Sequence, residues 1–271
     1  MELPEEVSHA AKSANLDAVK AWLAQPTTDI EAVDNMGWTL LHRSCFNELT
    51  ANHVALTEYL LSCGANINCR GICASGCSPL HLASARHYSH QGADMVGFLL
   101  HRGSEVNATE NQRGATPLAW AIEKFHPSSE PWADGCNIKA LDCVVKLLRW
   151  GASLDDIGAL NYDDMDPEPV EAFLARQVGY QPSLSSDEHF VACQAIIAGV
   201  RAAGSWRAFR DDKNNPWRAY ERVPRKEVLR LRSLVARKRA TTTNPLFIAL
   251  FASPNEIVWH VLSFWRVRIP S

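Results

Sequence analysis

Three strings in this 271-residue chain can be laid over one another: GWTLLHRSC from Gly37, GCSPLHLAS from Gly76 and GATPLAWAI from Gly114. Each is followed by an apolar pattern of helical period that ends in a glycine and a small-polar-aliphatic string. Those endings are VALTEYLLSCGANIN, ADMVGFLLHRGSEVN and IKALDCVVKLLRWGASLD. The N-terminal EEVSHAAKSANLDAVKAWLA carries the same two-helix pattern with its turn missing. Self-similarity of this kind constrains the fold more than any composition figure. A pair of short helices cannot hide its own apolar stripe, so successive pairs must stack side by side. The expectation is an all-α solenoid.

The residues at the element boundaries agree with that reading. Thr39, Ser78 and Thr116 stand where a hydroxyl can accept a hydrogen bond from the orphan N–H groups of a helix start. Pro79 and Pro117 take the first helical position, where a missing N–H costs nothing, and Leu40 takes it in the earlier unit. Gly64, Gly103 and Gly151 fall where the second helix ends and a positive φ is needed. These residues resemble the ankyrin repeat, whose helix-starting signature is Thr-Pro-Leu-His-x-Ala. The likeness covers roughly residues 3–175. It implies helix–turn–helix units joined by hairpin fingers, with His42 and His81 as structural histidines near their own helix caps. It also implies a non-catalytic role in holding other proteins. The expected organisation is an ankyrin-repeat domain over residues 1–178, of four to five units with the first and last degenerate, followed by a helical extension over 179–271.

One stretch competes with this reading. Cys69, Cys73, Cys77 and His81 fall at four-residue intervals, and three thiols with an imidazole are a complete set for tetrahedral zinc. Ser78-Pro79-Leu80-His81 is also a helix start, which commits His81 to its cap. The three cysteines then read as small residues of an exposed finger, and Cys45, Cys63, Cys136, Cys143 and Cys193 as small hydrophobes in the packing. Seven acids lie between Asp155 and Glu171 with no basic residue, but their spacing does not match a calcium loop. An acidic loop leading into a short capping helix, Pro169–Ala175, is expected there. No metal and no cofactor are expected.

From cap hydroxyl to closing glycine the three units span 25, 25 and 35 residues, against about 21 in a standard unit. The extra residues lie near Phe46–His53, His87–Gly92 and Phe125–Asn137. Inserts at one point of successive units emerge on one edge of a solenoid, often a binding edge. Trp132, on the longest insert, is a candidate anchor for a partner. By position in the family, the finger residues Asp34, Asn35, Met36, Trp38, Asn111, Gln112 and Arg113 form a second candidate strip. The first-helix residues Phe46, Asn47, Arg86, His87, Glu123 and Lys124 extend it.

Beyond the repeats, Ser186 is expected to cap a helix running to about Ala203. Between Arg201 and Ala240 there are 13 Lys/Arg against 4 Asp/Glu, while the whole chain carries a formal charge of −3. VPRKEVLRLRSLVARKRA reads as a basic amphipathic helix, and NPLFIALF and SPNEIVWHVLSFWR as short apolar helices. This ending looks like a SOCS box, which implies elongin contacts at Val228, Leu231, Leu234 and Val235, and cullin contacts at Phe251, Pro254, Ile257 and Leu262. Arg232 departs from the SOCS pattern, as does Ala252-Ser253. SPNEIVWHVLSFW also resembles the first helix of an F-box, and the ending is similar to tails of microalgal ankyrin proteins. A cap over the last apolar face of the solenoid is the remaining alternative.

Nucleophile elbows, phosphate loops, dinucleotide glycines and paired-histidine metal motifs are absent at the required spacing, so no enzyme is expected. Nucleic acid is not an expected ligand, because no recognition motif accompanies the basic stretch. The acidic start lacks the pattern of a signal peptide, and no run of about 18 apolar residues exists. A soluble, intracellular and cytoplasmic protein is expected, without membrane insertion. Its role would be that of an adaptor, scaffold or subunit of a larger assembly. The alternative is a substrate receptor of a cullin-type ubiquitin ligase.

Overall fold

The computed structural model describes residues 2–46, 51–72, 76–85, 92–126, 136–158 and 167–212. Helices among these residues fall into pairs: α1 (Glu5–Lys12) with α2 (Leu16–Leu23), α3 (Leu40–Phe46) with α4 (Ala51–Ser62), and α5 (Pro79–Ser84) with α6 (Gly92–His101). The pair α7 (Pro117–Ile122) with α8 (Cys136–Arg149) continues the series, and α9 (Val170–Tyr180) and α10 (Glu188–Ala203) follow in the chain. First helices stack in chain order, α1 on α3, α3 on α5, α5 on α7 and α7 on α9, while α6 meets α8 in the second row. This is the translational order the repeats demand. Helices of six or seven residues, such as α5, α7 and α3, do not persist alone in water. All six residues of α5 are buried, so its neighbours supply the stability that its length cannot.

The degenerate first unit belongs to the same core. Leu3, Ala11, Val19 and Trp22 pack with Leu40, Leu41, Leu56 and Leu60 of the second unit. Polar bridges then set the spacing between units. His42 accepts the Thr39 N–H at Nδ1 (3.3 Å), so its proton sits on Nε2, which donates to the Cys77 carbonyl 35 residues on (3.0 Å). His81 repeats this arrangement with the Ser78 N–H (3.2 Å) and the Ala115 carbonyl (3.0 Å). In the third unit Ala119 stands where the imidazole would be. The next loop closes in, and the Thr116 N–H donates straight to the Ile157 carbonyl at 2.9 Å. That approach requires Gly158, since a Cβ there would stand 2.3 Å from Ala115 Cα. A second ladder runs behind the fingers: Glu31, Asn68 and Asn107 accept the backbone N–H groups of Asn66 (2.7 Å), Glu105 (2.9 Å) and Ser153 (2.8 Å), each one unit further along.

The stack continues past the last signature string. Asp155 and Glu171 both pair with Arg201 of α10, whose guanidinium also donates to the Leu154 carbonyl (2.9 Å). Asn137 bonds both the N–H and the carbonyl of His126, and donates to Asp187 (2.8 Å). Asp187, in turn, accepts from His189 N–H (3.1 Å) and Phe190 N–H (2.9 Å). The cap of α10 is thus Asp187 and not the expected Ser186, whose hydroxyl donates to Ser183 (2.9 Å). The chain divides into two units at Ala202–Ala203. In the second, α11 (Trp206–Asp211) is capped by the Ser205 hydroxyl.

Other expectations need correction. Ala51–His53, Gly92 and Cys136–Asn137 are not insert but the first turns of α4, α6 and α8. Part of the extra length therefore goes into longer second helices. The capping helix runs on to Tyr180, well beyond Ala175. Cys63 is exposed, whereas Cys69 and Cys77 are buried in place of lying on an exposed finger. Cys73 falls outside the described residues.

The closing glycines Gly64, Gly103 and Gly151 all have positive φ, at 94°, 97° and 86°. Nothing lies within 4 Å of a Cβ built on Gly64, so Gly64→Ala should cost only the left-handed backbone strain, ~1 kcal/mol in urea unfolding. Gly158→Ala combines the same strain (φ 103°) with a backbone collision, and should cost more than about 2 kcal/mol. Equal losses at the two sites would refute the close-approach account.

Candidate functional site

The fingers join successive helix pairs, and each is built around one polar side chain. In the first finger the Asp34 N–H bonds the Trp38 carbonyl (3.0 Å) and the Gly37 N–H bonds Asp34 (2.8 Å). The Asp34 carboxylate then accepts from Met36 N–H (2.9 Å), Trp38 N–H (3.1 Å), the Ser8 hydroxyl (2.7 Å) and Arg43 Nε (2.5 Å). Burial alone would raise its pKa. The donors from Arg43, Ser8, Trp38 and Met36 outweigh that and hold it below the usual carboxylate range. Glu110 has the same role in the third finger, accepting from the N–H groups of Gln112, Arg113 and Ala115. The middle finger reverses the polarity. There Arg70 donates to the carbonyls of Gly76 and Thr109.

Neighbouring fingers are also tied together. The Ile72 N–H donates to the Gly37 carbonyl at 2.8 Å. The Asn111 amide lies over Gly76, where a Cβ would stand 2.1 Å from its Nδ2. The result is one strip of fixed geometry.

Within this strip the sequence-predicted residues separate into two groups. Asn35, Met36 and Asn111 are exposed and Gln112 is half-buried. Asp34, Trp38 and Arg113 are buried and spent on internal contacts. Trp38 meets Phe46 edge-on at 4.4 Å and lies under the Arg43 guanidinium at 4.7 Å. Arg113 pairs with Glu110 (3.8 Å) and holds the half-buried Glu123. Lys124 is half-buried. Asn47, Arg86, His87, Trp132 and the eight tail positions from Val228 to Leu262 lie outside the described residues.

Two residues that the sequence reading passed over stand out. Ile72 is 74% exposed and Met36 52%, both on the fingertips that the Ile72–Gly37 bond joins. A lone isoleucine between Arg70-Gly71 and a run of small turn-forming residues was the available signal. The other is Arg43, which lines a recess of about 310 Å³ between α1, the first finger and α3.

The pair nearest to a catalytic arrangement is Cys69 and His42, with Sγ 3.6 Å from Nδ1. Burial pushes the thiol up to about 12 and the imidazole down to about 4, so both are neutral at pH 7. A nucleophilic pair needs the opposite shifts. His81 does not join them, because it is bonded to Ser78 and Ala115. Among the described residues no three His, Cys, Asp or Glu side chains are grouped to hold a metal ion. No described helix is long and apolar enough to cross a membrane.

Comparison with known families agrees with this geometry. Residues 7–110 match the family model for ankyrin repeats, in three copies. The match stops at the third finger, whereas the stacking of helix pairs continues through α7 and α8 to α9. None of the curated proteins compared with the chain matches it.

The buried imidazoles give the stack a pH dependence of defined sign. His42 and His81 both have their pKa lowered by burial, from 6.5 to about 4. Between those values the unfolded chain binds up to two protons more than the native one, so stability is complete above pH 6.5 and falls towards pH 4. Urea midpoints should drop from pH 7 to pH 5, and His81→Gln should remove about one proton from the measured slope. A midpoint independent of pH over this window would contradict the neutral-imidazole assignment.

Proposed function

We propose that this chain, an ankyrin-repeat protein over residues 7–110, is a non-catalytic adaptor or scaffold that holds a protein partner on its strip of fingers. Ankyrin repeats are protein-interaction modules, and the stacking that buries their core leaves a rigid surface outside. The observation that carries the reading is the pair Met36 and Ile72. Five large apolar side chains are exposed among the described residues, Met36, Ile72, Trp150, Tyr180 and Val191, and of these Met36 and Ile72 stand on adjacent tips joined by a backbone hydrogen bond. Exposed apolar residues on a preorganised frame lose little entropy on binding, which favours association. Asn35, Asn111 and Gln112 flank them with the polar groups of an interface rim.

A second reading, a substrate receptor of a cullin-type ubiquitin ligase, is supported by the order of basic and apolar residues between Val228 and Leu262. Co-purification with elongins or a cullin would select it over a plain scaffold.

Pull-down with the full chain, followed by mass spectrometry and titration of the recovered protein, tests the finger reading. Met36→Glu with Ile72→Glu should weaken that complex at least tenfold, roughly 1.4 kcal/mol. Both side chains are exposed, so the thermal midpoint should stay within about 2 °C. Unchanged affinity in the double variant would reject the fingertips as the contact surface.

A further inference from the structure

Arg43 uses only one edge of its guanidinium. Its Nε is committed to Asp34 at 2.5 Å, and its plane rests on the Trp38 indole, which is braced by Phe46. Asp34 already accepts four hydrogen bonds, so it has no capacity for the remaining donors. Nη1 and Nη2 meet no acceptor among the described residues, although the side chain is only 13% exposed. A fork of donors is thus held still at the wall of the 310 Å³ recess, with His9 and Lys12 along the same wall. Arg113 offers an internal comparison, because its Nη atoms are filled by the Glu123 carboxylate. Seven residues after the cap, where Glu123 follows the end of α7, α3 carries Phe46, so this position supplies Arg43 with no carboxylate.

We propose that Arg43 is a preformed carboxylate receptor. It takes the side chain of an Asp or Glu on the protein partner, next to an apolar residue that lies over Met36 and Ile72. This rests on the finger-strip reading above and names the chemistry of its partner. A planar, always-charged guanidinium binds a carboxylate through two parallel bonds. Fixing its plane beforehand removes the rotamer entropy that normally weakens an exposed arginine pair. Lys12 and Arg43 share the recess with Glu2, Glu5 and Asp34, so its cations do not outnumber its acids and a dianionic phosphate is opposed more strongly than a single carboxylate. A polyanion such as nucleic acid is opposed further, since residues 1–200 hold 25 Asp/Glu against 12 Lys/Arg. Asn35, on the recess wall, is followed directly by Met36, which makes the charged and apolar contacts adjacent along one finger.

The test is selection from a phage-displayed dodecapeptide library on the full chain, followed by calorimetric titration of the synthesised peptides. Enriched peptides should share an acidic residue beside an apolar one. Replacing that acid by its amide, or making Arg43→Met, should each lower affinity about tenfold or more, and the two together should cost no more than either alone. Arg43→Lys, which keeps the charge at Asp34 but loses the fork, should bind more weakly than wild type. If Arg43→Met fails to fold in a thermal melt, the amide peptides against wild type decide the matter. Peptides that bind without an acid, or equally well to a folded Arg43→Met, overturn the receptor while leaving the fingertips as the binding surface. Tighter binding of a phosphoserine peptide than of its Glu counterpart overturns the single-charge assignment. A selection that enriches nothing overturns both readings.

Discussion

Short helices in water unravel, and α3, α5 and α7 hold their shape only because each is flanked by another helix of the same kind. Once that flanking is required, the spacing between units becomes the quantity that all else must respect. Two devices regulate it. A buried, neutral imidazole spans the gap from one cap to the next carbonyl at His42 and His81. Where the imidazole gives way to Ala119, the gap shrinks until backbone bonds backbone, and a residue without Cβ is needed at Gly158. The same contact is thus made at two lengths, and the side chains on both sides adjust to it.

Stacking also decides which polar groups are free. A finger has few backbone partners of its own, so a carboxylate or a guanidinium must gather its N–H or C=O groups. Asp34, Glu110 and Arg70 perform this in turn. Polar residues used in this way cannot also present themselves to a partner. The side chains left over are Met36 and Ile72 at the tips and the unfilled edge of Arg43, and the proposed contact surface is drawn from these.

Much of the architecture could be read from residue order. Cap hydroxyls, first-turn prolines and closing glycines are local requirements, met within four or five residues, so Thr39, Ser78, Thr116 and the positive φ at Gly64, Gly103 and Gly151 were legible. The Asn68 and Asn107 ladder was legible in principle, as asparagines at one place in successive units, but its purpose depends on a backbone one unit away. Asp187 and Ser186 are adjacent and equally able to cap. Only the tie to Asn137, fifty residues earlier, selects Asp187. Cys69 and Cys77 looked like exposed finger residues because nothing in their neighbours announces that the next unit will cover them.

Residue order by itself determined that helix pairs recur, where each begins and ends, and that they must stack, because helix caps and apolar period are short-range properties of a chain. Tertiary structure alone decided which charged groups are saturated and which are not. Asp34 and Arg113 lie in the candidate strip as convincingly as Met36, yet burial and internal bonding consume them. Arg43 became noticeable only when Asp34 was filled and Trp38 lay beneath it. The reason is physical: whether a donor is available depends on how many acceptors come within about 3 Å of it, and the chain brings those acceptors from other units only after it has folded.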